Sequence, residues 1–131
     1  MRKILLLDEN IYDYKNEIDI LKSQYDVDAV GYIETANYML KRSVDYDLIV
    51  LDIMMPTLGL FSNEETFDGL KTGLVYYEKE IQPLNIPVLF WSWNSDFEEE
   101  IKWINTGFLL KKTDYNHLLD GVNRFFNKLK Y

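Results

Sequence analysis

Leu48-Ile49-Val50-Leu51-Asp52-Ile53-Met54-Met55-Pro56 is the stretch on which the fold turns. Its first four residues are continuously apolar and stop at an acid, which suits a parallel strand covered by helices on both faces. Ile4-Leu5-Leu6-Leu7 before Asp8-Glu9, and Val88-Leu89-Phe90-Trp91 before Ser92, repeat the pattern. Working outward, five strands are predicted: Lys3 to Leu7, Val27 to Tyr32, Asp47 to Ile53, Pro87 to Trp93 and Gly107 to Lys111. Helical spacing fills the intervals. Ile11, Tyr14, Ile18 and Leu21 form one face, and Ala36, Met39 and Leu40 a second. A third helix is expected from Asp68 as N-cap, turning Leu70, Leu74, Tyr77 and Ile81 inward, with Gly73 as a weak point. A fourth opens on a capping box of Ser95 and Glu98, carries Phe97, Ile101 and Ile104, and closes at Gly107. The last starts near Asp114 and carries Leu118, Val122, Phe125 and Leu129. Strands alternating with helices indicate right-handed β-α-β units and a doubly wound parallel sheet.

Composition narrows the function classes. The 131 residues are 47% hydrophobic and 27% charged, with nine Gly or Pro, so one domain spanning 1–131 is expected, with no room for an output domain. The absence of Cys excludes thiol catalysis, thiolate metal sites and a disulfide framework. The only His, His117, makes a multi-histidine metal site improbable and reads as an ordinary helix residue. A formal charge of −8 disfavours nucleic-acid binding. Arg2 and Lys3 precede an apolar run too short for a signal peptide or membrane span, so a cytoplasmic protein is expected.

In an open parallel sheet, ligands sit outside the carboxyl ends of the strands. Those ends carry Asp8-Glu9, Asp52, Ser92 and Lys111. Three carboxylates around one crevice repel one another unless a cation bridges them, and hard oxygen donors suit Mg²⁺. A carboxylate beside Mg²⁺, faced by a lysine and a hydroxyl, is equipped to attack phosphorus and become an aspartyl phosphate.

At these residues the chain resembles the receiver domain of two-component response regulators, of the stand-alone type, over essentially its full length. Asp8-Glu9 matches the family's acidic pair, Asp52 with Pro56 four residues later its phospho-acceptor motif, and Ser92 its hydroxyl at the end of strand four. Phe108-Leu109-Leu110-Lys111 matches its aromatic-x-x-Lys motif, with Phe108 and Ser92 as switch residues and Lys111 on the phosphoryl group. The resemblance implies a flavodoxin-like α/β fold with strand order 2-1-3-4-5 and five helices. It also implies Mg²⁺ held by Asp8, Glu9, Asp52 and the backbone carbonyl of Met54. Four departures stand out: Glu9 replaces an Asp, Trp93 a small residue and Lys112 a Pro, while Thr57 to Phe67 is an insertion after strand three.

The resemblance implies a phosphoacceptor regulator, not an enzyme in the usual sense, that takes a phosphoryl group from a histidine kinase or histidine phosphotransfer protein and alters its affinity for a downstream protein. The alternative is an atypical receiver acting as a phosphorylation-independent interaction module, with Trp93 and the insertion blocking the site. A haloacid-dehalogenase-type phosphatase would need a second Asp where Met54 stands, and Asp8, Glu9 and Asp13 would repel a flavin phosphate.

Overall fold

A computed structural model describes residues 1–42, 45–57, 59–93, 97, 99, 101, 107–112 and 118–128; at 107–109 and 111 the description is of the backbone. The elements are β1 (Lys3–Leu7), α1 (Lys15–Lys22), β2 (Asp26–Val30), α2 (Ile33–Arg42), β3 (Leu48–Leu51), α3 (Asn63–Thr66), α4 (Thr72–Tyr76), β4 (Val88–Ser92), β5 (Gly107–Lys111) and α5 (Leu118–Lys128). The helix α4 runs on through a π turn at Tyr77–Ile81 and a 3-10 turn at Gln82–Leu84.

The five strands form one sheet in the order β2-β1-β3-β4-β5, and every pairing is parallel. Successive strand residues point to opposite faces. Leu5, Leu7, Ile49 and Leu51 enter one core with Ala36, Leu40, Tyr77 and Ile81, while Ile4, Leu6, Leu48 and Val50 enter a second with Leu21, Leu118, Val122 and Phe126. Both faces are covered, which is why the strand runs are apolar without alternation. Among the described residues, no helix is long and apolar enough to cross a membrane.

Three expectations need correction. The ladders are shorter than the apolar runs at β2, β3 and β4, so Asp52 and Trp93 lie just past their strands. Asp68 is not an N-cap: Phe67 and Asp68 are left-handed (φ 52° and 56°), Gly69 follows at φ 90°, and α4 begins only at Thr72. Leu70 is therefore exposed, whereas Leu74, Tyr77 and Ile81 are buried as expected. Gly73 is a requirement and not a weak point. A Cβ there would lie 2.0 Å from the Asp52 carbonyl oxygen, and its N–H donates to the Ile53 carbonyl at 2.8 Å. The helix start is thus pressed against the backbone that carries Asp52. Of the fourth helix, Ile101 is buried, while Ser95, Glu98 and Ile104 lie outside the described residues, as do Asp114, His117 and Leu129.

Candidate functional site

Parallel register brings the ends of β1, β3, β4 and β5 to one edge. Asp8 and Asp52 follow β1 and β3, and both are buried. The Asp52 N–H donates to the Leu7 carbonyl at 3.0 Å and the Asp8 N–H to the Val30 carbonyl at 3.1 Å, so each acid is pinned by its backbone to a neighbouring strand. The Asn10 N–H donates to Asp8 Oδ1 at 2.8 Å.

The cation between them is Lys112. Its N–H donates to the Ser92 carbonyl at 3.0 Å, continuing the β4–β5 ladder by one residue. Its ammonium lies 2.5 Å from Asp8 Oδ2 and 3.6 Å from Asp52 Oδ1, on a side chain only 1% exposed. Two aromatic rings complete the enclosure: Nζ stands 4.8 Å from the Tyr14 centroid and 4.9 Å from that of Trp91. Tyr14 meets Trp91 edge-on at 4.8 Å, and the exposed Trp93 donates its indole N–H to the Tyr14 hydroxyl at 2.5 Å.

The Lys112 ammonium does not outweigh burial and the neighbouring acid. Burial, and then Asp8, push the Asp52 carboxyl up to about 7, against the opposing pull of Lys112 and a hydrogen bond from the Met54 backbone N–H. Partial burial and Asp8 also raise Glu9. Among the described residues, no three acidic or imidazole groups converge closely enough to hold a metal. Glu9 is exposed at the rim, beside Gly31, Tyr32, Met55 and Pro56, so the expected carboxylate triad is a buried pair with a third acid alongside. The pair offers hard oxygen donors of the kind that suit a hard divalent cation, and such an ion would add positive charge where burial and Asp8 raise Asp52.

Of the residues singled out from the sequence, Asp8 and Asp52 come together at Lys112, and Ser92 is buried at the end of β4. Lys111 pairs with Ser92 and Phe108 with Leu89 through the backbone; their side chains lie outside the described residues. The ammonium found at the site is that of Lys112, which sequence reading treated as a substitute for Pro. Spacing cannot choose between adjacent lysines, because a one-residue slip in a strand exchanges its faces.

The insertion folds on itself. Ser62 and Glu65 form a reciprocal capping box, with bonds of 3.0 and 3.1 Å, that starts α3. Phe61 is half-buried against the core and Phe67 is exposed. Glu65 bonds Lys79 at 2.9 Å, and the Lys79 ammonium stands 5.5 Å from the Phe61 ring centroid.

No family model and no curated protein matches the sequence. Solved structures do match the fold. The receiver domain of Francisella response regulator 1452 is 23% identical, with 98% of this chain and 99% of that chain covered and a TM-score of 0.68. A chemotaxis response regulator of Vibrio cholerae is 21% identical over 95% of this chain and 98% of that one, at a TM-score of 0.65. Response regulator TrrA of Thermotoga maritima, solved in complex with Mg²⁺ and BeF, is 20% identical over 95% and 99%, at 0.62. The chain has the fold of response-regulator receiver domains.

Proposed function

We propose that this protein is a phosphoacceptor signalling domain, taking a phosphoryl group onto Asp52 from a phosphohistidine donor on a histidine kinase or histidine phosphotransfer protein. The observation that carries this reading is the buried Asp8–Lys112–Asp52 cluster at the carboxyl edge of the sheet. The matching fold supports a regulator over a conventional enzyme. In the transfer, an ionised Asp52 oxygen forms a bond to phosphorus as the P–N bond to the donor imidazole breaks, and the imidazole leaves with the electron pair and takes up a proton. Asp52, with its carboxyl near 7, is held where a nearby cation promotes the ionised, attacking form. Lys112 supplies one positive charge against the incoming phosphoryl oxygens, and Ser92 is the hydroxyl proposed to meet them. Asp8, Asp52, the Met54 carbonyl and, at the rim, Glu9 are the proposed holders of Mg²⁺, which when bound neutralises phosphoryl charge.

Phosphorylation is proposed to draw Ser92 toward the phosphoryl group and to shift the β4–β5 face toward a form with altered affinity for a downstream protein. Phe108 is proposed as the accompanying switch residue. A second reading, a receiver that binds partners without phosphorylation, is favoured by the Trp93–Tyr14 bond beside the site. Incubation with phosphoramidate and Mg²⁺ separates the two: intact-mass spectrometry is expected to show one added phosphoryl group in the wild type and none in Asp52→Asn. No gain in the wild type favours the second reading.

A further inference from the structure

Lys112 is the only described lysine with a side chain walled by two aromatic rings and two carboxylates together. An ammonium on a four-carbon stem has many rotamers, and a buried one needs each side filled to stay in place. Asp8 holds it by a direct bond, but Asp52 is 3.6 Å away, so the carboxylates alone do not set its position opposite Asp52. The face of Tyr14 does the rest. That ring comes from the loop before α1, and its hydroxyl is taken by Trp93 from the loop after β4. One tyrosine therefore links the cation inside the site to Trp93, just past the end of β4.

We infer that Tyr14 is a positioning residue whose ring fixes the Lys112 ammonium and whose hydroxyl, bonded to Trp93, latches the loops across the approach to Asp52. Ring and hydroxyl have separable duties. The ring desolvates and orients the lysine through its quadrupole. The latch restricts access, and opening it admits the donor. This inference rests on Asp52 being the phosphoacceptor for its kinetic part only, since the position of Lys112 is measurable without phosphorylation.

The test combines Tyr14→Phe, Tyr14→Leu and Trp93→Phe with two readouts. The first is acylation of Lys112 by a water-soluble amine-reactive ester, mapped by peptide mass spectrometry. Tyr14→Phe and Trp93→Phe, which open the latch but keep the Tyr14-position ring, set the baseline, and Tyr14→Leu is expected to be labelled about tenfold faster than either. Equal labelling of Tyr14→Leu and Tyr14→Phe overturns the positioning role. The second readout is the rate of phosphorylation by phosphoramidate with Mg²⁺. Tyr14→Phe and Trp93→Phe both lack the latch and retain an aromatic ring at each position, so both are expected to react several-fold faster than wild type and at similar rates. Rates unchanged from wild type in both overturn the latch. If no variant or wild type is phosphorylated, the functional reading fails while the labelling series still decides the positioning role. Should Tyr14→Leu fail to fold, Tyr14→Met replaces it, with the same expectations.

Discussion

Two lysines each meet a carboxylate and an aromatic face, one buried and one exposed. Lys112 bonds Asp8 at 2.5 Å under two aromatic faces, with both side chains of the pair 1% exposed. Lys79 bonds Glu65 at 2.9 Å beside one aromatic face, with side chains 50% and 37% exposed. Around Lys112, burial and then the Asp8 carboxylate push Asp52 up to about 7. Around Lys79, the same chemistry holds Glu65 below the usual carboxylate range, by the Lys79 bond first and the Ser62 N–H second. Burial decides whether an ion pair carries a raised carboxyl or serves as a surface fastening.

The contrast is tested first by removing each cation. Lys112→Ala leaves two buried carboxylates without their counter-charge, and a loss of about 3–5 kcal/mol in urea denaturation is expected at pH 8. A loss below that of Lys79→Ala would break the comparison.

Next comes the pH dependence of Asp52. Its carboxyl is raised from 3.8 to about 7, so between those values the folded protein holds a proton that the unfolded chain has released. The stability this contributes is fully present below the unfolded value and is lost as pH rises through 7. Asp52→Asn should therefore be more stable than wild type at pH 8, by on the order of 1–3 kcal/mol, and the gap should close near pH 4. A constant difference across that range in denaturant melts would remove the shift.

The insertion gives smaller effects. Phe61→Ala loses a half-buried ring and should cost about 1–2 kcal/mol in the same assay, without changing the rate at which Asp52 is phosphorylated. Lys79→Ala should cost below about 1 kcal/mol, and less still in high salt. A change in phosphorylation rate in either variant would mean that the segment reaches the crevice after all.

Much of this was legible beforehand, for physical reasons that differ by residue. The strands stood out because both faces of the sheet are covered, leaving runs such as Leu48 to Leu51 wholly apolar. Asp8, Asp52 and Ser92 followed from the rule that strand ends meet at one edge. Gly73 was misread because its value lies in a tertiary contact, the Asp52 carbonyl, that no helix propensity contains. The start of α4 was misplaced because three consecutive positive φ angles, at Phe67, Asp68 and Gly69, hold the chain out of helix. Lys112 stood out only as a departure from Pro, because the motif admits either of two adjacent lysines, and the ladder from Ser92 is what carries its ammonium to the acids.

The most direct test of the buried, lysine-bridged pair as a phosphoryl-accepting site is reductive trapping. The protein is incubated with phosphoramidate and Mg²⁺, treated with borohydride to convert any aspartyl phosphate to homoserine, digested and sequenced by tandem mass spectrometry. Conversion at position 52 alone, dependent on Mg²⁺ and strongly reduced in Lys112→Ala, is the expected result. Conversion at Asp8, or at no aspartate, would contradict it.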